Sequence, residues 1–174
     1  MATKFQIVFD CSDPNRMAHF WSEALGYRIA PPPAGYESGR AFFLSKGVPE
    51  DEAGEGDDRI SDPAGAGPTI WFQQVSERKA VKNRVHIDLA VSGGFSVPIA
   101  ARKERVDAAA DRLAKLGATV VGPLEEPGVD HYAVAMRDPE GNEFDINELP
   151  SSSPPLAGVR HGGRPASVVL GAFP

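Results

Sequence analysis

The chain reads as an α+β protein of two βαβββ modules that form a curved mixed sheet around a central cleft. Three observations predict this. A strand–helix–strand–strand–strand order occurs twice along the sequence. Both helices stop at a Leu-Gly pair, Leu25-Gly26 and Leu116-Gly117, and a short strand follows each. Each module opens on a strand whose apolar residues alternate with polar ones, so a helix can cover one face while the other stays open.

The elements follow in order. Phe5, Ile7 and Phe9 alternate with Gln6, Val8 and Asp10, which is strand periodicity. Ser12 or Asp13 caps a helix whose first turn holds Pro14. Met17, Phe20, Trp21, Ala24 and Leu25 stripe one face of that helix. Residues 27–30 and 40–45 read as strands, and 46–68 as a long exposed loop. In Thr69–Val75, Ile70 and Phe72 oppose Trp71, Gln73 and Val75.

The pattern then restarts. Val85, Ile87 and Leu89 alternate with His86, Asp88 and Ala90 over residues 84–91, and 92–101 reads as a loop. Val106, Ala109, Ala110 and Leu113 stripe a second helix. Strands follow at 118–121, 132–137 and 143–147, with a turn at Asp138–Asn142 before the last. The modules span about residues 4–76 and 83–148 of one domain, 1–149, and residues 150–174 are a Pro/Ser/Gly-rich tail. Of 34 glycines and prolines, 13 fall in residues 31–68 and 9 in 150–174, so the excess over an average near 12% belongs to one loop and the tail.

Composition removes several function classes. The net charge is −6 and there is no basic run, so nucleic acid and anionic membranes are not expected partners. No apolar stretch approaches the ~18 residues of a membrane span. The N-terminus has no signal-peptide apolar region, and Cys11 has no second cysteine to pair with. A cytoplasmic protein is expected.

If the apolar strand faces pack on the helices, their alternates face the cleft. These are Gln6, Val8 and Asp10; Trp71 and Gln73; His86 and Asp88; and Glu143, Asp145 and Asn147. Imidazole, carboxylate and amide oxygens of this kind can share one divalent cation.

The opening Gln6–Pro14, the helix end Phe20–Tyr27, the joint Val81–Leu89 and the run Asp138-Pro-Glu-Gly-Asn-Glu-Phe144 together resemble the vicinal oxygen chelate superfamily, in particular its glyoxalase-like and bleomycin-resistance-type domains. The resemblance covers roughly residues 4–148. It implies metal ligands on the first and last strands of each module, which by position are Gln6, Gln73, His86 and Glu143. Gln74 replaces Gln73 if that strand slips by one residue. Zinc, nickel, cobalt, manganese and iron are not distinguished by this set. Gln73 stands where a carboxylate is expected, so Glu143 is left as the catalytic base of a lyase or isomerase acting on a small carbonyl or enolisable substrate. With His86 alone among the histidines on the cleft face, a two-histidine dioxygenase site is disfavoured.

The resemblance also implies a small-molecule ligand and a homodimer. Trp71, Asp88, Asp145 and His131 are the expected substrate-binding residues. For Asp88 and Asp145 the alternatives are orienting a ligand or pairing with Arg84 or Arg137. Two non-catalytic readings stay open: a metal-free drug binder of the bleomycin-resistance type, and a sensor or accessory domain. Phe20, Trp21 and Cys11 are assigned to packing, His19 to a solvated helix face and Glu50–Asp58 to a solvated loop.

Overall fold

The computed structural model describes residues 3–125 and 127–148. The tail expected from residue 150 lies outside them. The chain divides into two compact units, Met1–Ala80 and Val81–Pro174.

The first unit runs β1 (Gln6–Cys11), α1 (Pro14–Leu25), β2 (Arg28–Ile29), α2 (Gly39–Ser45), β3 (Arg59–Ser61) and β4 (Thr69–Gln74). Its sheet order is β1-β4-β3-β2, with β1 and β4 parallel and the other pairs antiparallel. The expected alternation holds over β1 and β4, where Gln6, Val8 and Asp10 are exposed, Ile7 and Phe9 half-buried, and Ile70 and Phe72 buried, but Phe5, assigned to the apolar face, is 69% exposed. The Asp13 side chain accepts from the Arg16 N–H at 3.0 Å, which starts α1 beside Pro14. Gly26 stops it in the left-handed region at φ +69°, where a side chain would be strained. The α1 stripe packs on the sheet: the Phe9 ring lies 5.5 Å from Trp21 and 5.6 Å from Phe72, with Met17 and Ile60 fully enclosed.

Two expectations fail in this unit. Residues 40–45 form the helix α2, not a strand. Their run Ala41-Phe42-Phe43-Leu44 is continuously apolar, which periodicity alone assigns to neither state. Ser38 decides it by accepting from the Ala41 N–H at 3.0 Å as an N-cap. The 46–68 loop contains a strand, β3, whose only apolar signal is the buried Ile60.

The segment between α2 and β3 is anchored. Arg40 donates to the Ala53 carbonyl, and to that of Glu50 at 2.9 Å. Gly56 lies against Gly39: a Cβ on Gly56 would stand 2.5 Å from the Gly39 Cα, and its φ is +83°. We expect Gly56→Ala to cost at least the ~1–2 kcal/mol of a left-handed side chain, read as a lower urea midpoint. An unchanged midpoint would mean that this approach is not needed for stability.

The second unit runs β5 (Asp88–Ala90), α3 (Ile99–Lys115), β6 (Thr119–Leu124), β7 (Ala133–Arg137) and β8 (Glu143–Asn147). Its order, β5-β8-β7-β6, repeats that of the first unit, again with the opening and closing strands parallel. The repeat read from the sequence is therefore a repeat of topology, with α2 added in the first copy. Val106, Ala110 and Leu113 are buried as their spacing predicts. The Asp138 carboxylate accepts from the Glu140 and Asn142 N–H groups at 3.0 and 2.9 Å, which builds the turn into β8.

Here too the sequence reading is corrected in places. β5 is shorter than the expected 84–91, and Val85, assigned to the apolar face, is 81% exposed. Helix α3 begins at Ile99, inside the expected loop, because Pro98 sits at its start and Ala100–Lys103 are good helix formers. On β8 both faces are covered: Glu143, Asp145 and Asn147 are buried, and so are Phe144 and Ile146.

Candidate metal centre

The parallel pairing of β5 with β8 sets Asp88 opposite Asp145 and Ala90 opposite Asn147. Asp88 and His86 are two residues apart, and their side chains meet on one side of the pair. The His86 Nε2 atom lies 3.2 Å from Asp88 Oδ1 and 3.5 Å from Asp145 Oδ2. One ligand atom from each of the three groups fits within a 4.8 Å span. Asn147 donates to Asp88 Oδ2 at 3.2 Å and fixes that carboxylate from the other side. His86 is the exposed member, and the Asp145 side chain is only 4% exposed.

The electrostatics are unfavourable as they stand. Asp88 Oδ1 and Asp145 Oδ1 are buried and receive no hydrogen bond, although the imidazole nitrogen lies within ion-pair distance of the first. Burial pushes the Asp145 carboxyl above its ordinary value of 3.8, and the Asp88 charge pushes it further. His86 and Lys82 pull it back in part. Two adjacent carboxylates, Asp88 half-buried and Asp145 buried, each with one enclosed oxygen lacking a hydrogen bond, and one imidazole nitrogen suit a divalent cation with positions left open.

The other expected site residues lie as follows. Glu143 is on the same face of β8 as Asp145, two residues earlier, and its Oε2 accepts from the Asn83 N–H at 3.0 Å. The three-group cluster includes Asp145 and not Glu143. Gln6 and Gln73 are both in the first unit but not side by side. Gln6 pairs with Thr69, and Gln73 with Asp10, four residues (about 13 Å) further along the strand. The same β1–β4 register sets Val8 opposite Trp71.

His131 belongs to another cluster, with its Nδ1 at 3.3 Å from the buried Glu148 Oε2. Trp71 donates from Nε1 to Asp58 at 3.0 Å. Neither Asp88 nor Asp145 pairs with Arg84 or Arg137 in this arrangement; both face His86. Sequence reasoning missed Arg102 and Glu148, which pair at 2.8 Å and are almost fully enclosed. Arg102 falls in a stretch read as loop and helix start, so periodicity gave it no buried face.

The model of a glyoxalase-like domain matches residues 6–147. No curated protein matches the sequence. Among solved structures, a hypothetical protein from Staphylococcus aureus is similar at 19% identity and TM-score 0.51, over 84% of this chain and 97% of that one. The fosfomycin resistance protein FosX from Mesorhizobium loti is similar at 14% identity and TM-score 0.51, over 84% and 92%. A mutant of FosX from Listeria monocytogenes, complexed with Mn(II) and 1S,2S-dihydroxypropylphosphonic acid, is similar at 15% identity and TM-score 0.52, over 85% and 91%. At these identities the structures speak for the fold, and the domain match covers most of the sequence. The chain belongs to the glyoxalase-like domain family.

Proposed function

We propose that the second unit holds a divalent metal through His86, Asp88 and Asp145, and that the chain is a metal-dependent lyase or isomerase for a small oxygen-bearing substrate. The observation that carries this reading is the pair of buried carboxylate oxygens without hydrogen bonds beside the His86 nitrogen. A metal bound there supplies Lewis-acid polarisation of a substrate oxygen. Asn147 and the β5–β8 register hold the Asp88 and Asp145 carboxylates in place. Glu143, oriented by the Asn83 N–H, is the carboxylate that takes up and returns a substrate proton. Gln6 and Gln73, with Trp71 and His131, remain outside this donor set. A homodimer and a cytoplasmic location go with this reading, and sedimentation equilibrium tests the first.

The FosX structure with Mn(II) makes that ion a natural probe. Wild-type protein is expected to take up one Mn(II) per chain in equilibrium dialysis, and His86→Ala to lose that uptake. No saturable uptake by the wild type would sink the reading. A metal-free binder is the second reading, and Trp71 with Gln6 and Gln73, amides in place of charged ligands, favours it.

A further inference from the structure

The first unit contains a cavity of about 620 Å³ that the metal-centre reading does not use. Its volume falls within the range of small-molecule sites. Its apolar wall is Phe43 of α2 with Phe72 and Trp71 of β4. The opposite wall is the anchored segment between α2 and β3, and it is acidic: Asp51, Glu52 and Glu55 line the cavity. Their carboxylates have no ion pair or hydrogen bond among the described residues, whereas Asp57 is engaged by His19 and Asp58 by the Trp71 Nε1. None of the residues lining the cavity is basic. The nearest cations have other duties. Arg40 holds the segment through the Ala53 and Glu50 carbonyls, and Arg59 lies 5.3 Å from the Trp71 ring.

We propose that this cavity binds an organic ammonium ion with an aromatic or apolar body. The body packs on Phe43 and Trp71, and the charged end meets Asp51, Glu52 and Glu55. Aromatic faces and carboxylates together select cations over neutral isosteres, because the ring quadrupole and the formal charges act in the same sense. Among the described residues the second unit has no helix between β6 and β7, so this wall is particular to the first copy of the repeat. The acidic residues Asp51, Glu52 and Glu55 are exposed, as the solvated-loop expectation has them, and they rim this cavity.

Phenethylammonium, 2-phenylethanol and phenylacetate share a body and differ in charge, so they separate the contributions. The probe signal is the Trp71 indole N–H resonance, assigned by its absence in Trp71→Phe, with the buried Trp21 resonance as a control for the fold. Phenethylammonium is expected to shift the Trp71 signal saturably, with affinity at least tenfold above the other two. The triple substitution Asp51→Asn, Glu52→Gln, Glu55→Gln is expected to lose at least tenfold of that affinity while the Trp21 signal stays in place. If the triple variant does not fold, the wild type still decides: added salt must weaken binding of the ammonium and leave that of the alcohol unchanged. Equal responses to the three probes, no saturable response, full affinity in a folded triple variant, or binding indifferent to salt would each overturn the proposal. Asp145→Asn must leave the response unchanged, so failure of the metal centre and failure of this cavity are told apart.

Discussion

Replacing Arg102 by Met is expected to destabilise the protein by about 3–5 kcal/mol, the usual cost of removing one partner of a buried ion pair. Arg102 is 1% exposed and Glu148 is fully enclosed. The guanidinium donates from Nη1 to Glu148 at 2.8 Å, from Nη2 to Asp130, and from Nε to the Val97 carbonyl at 2.8 Å. The Phe95 ring lies 5.5 Å from its Cζ. Without Arg102, the described residues leave Glu148 only the His131 Nδ1 atom at 3.3 Å, and its Oε1 already receives no hydrogen bond. Removing both charges, as Arg102→Met with Glu148→Gln, leaves no buried ion unpaired and is expected to restore most of the loss. Urea unfolding of the two single variants and the double variant measures this. A cost below ~1 kcal/mol for Arg102→Met would show that the pair does not hold the unit together. The pair also bears on the site, because Glu148 directly follows β8, the strand that carries Asp145 and Asn147.

The second large effect concerns Asp145. Its carboxyl titrates above its ordinary value because burial and Asp88 disfavour the charge. An acid raised in the folded state binds more protons folded than unfolded, so its contribution falls as pH rises. The cost is complete above the raised value, shrinks as pH falls through it, and is gone below 3.8, the ordinary value. Metal-free Asp145→Asn is therefore expected to match or exceed the wild type in thermal midpoint at neutral pH. That advantage is expected to narrow as pH drops toward 4. With saturating metal the order reverses, because only the wild type gains from binding. A metal-free variant that is less stable at neutral pH, and that regains stability on acidification, would contradict the sign of this argument.

Much of the fold was legible because its signals are local. Alternation in Phe5–Asp10, the Asp13-Pro14 start and Gly26 stop of α1, and the Asp138–Asn142 turn each follow from a few adjacent residues. Helix α2 was not, because four consecutive apolar residues carry no period and its cap, Ser38, sits in a polar stretch. Strand β3 was not, because Ile60 is its single apolar residue. The candidate site divides in the same way. His86, Asp88 and Asp145 were all named, since alternation fixes which residues share a face. Which carboxylate meets His86 depends on the β5–β8 register, and that is a non-local quantity: Asp88 stands against Asp145, and Glu143 is one step back with Asn83. The acidic residues Asp51, Glu52 and Glu55 are solvent-exposed as expected, but their place on a cavity rim depends on the Gly39–Gly56 approach and the Arg40 anchors, which no sequence pattern announces.

Direct titration of Mn(II) into metal-free protein separates the two carboxylates of β8. Asp145→Asn is expected to lose at least about 100-fold in affinity, more than the ~10–100-fold typical of an outer-shell partner. Glu143→Gln is expected to keep the metal within about tenfold of the wild type, as suits a group that orients or moves a proton. Retained binding in Asp145→Asn with lost binding in Glu143→Gln would contradict the assignment of the centre to His86, Asp88 and Asp145.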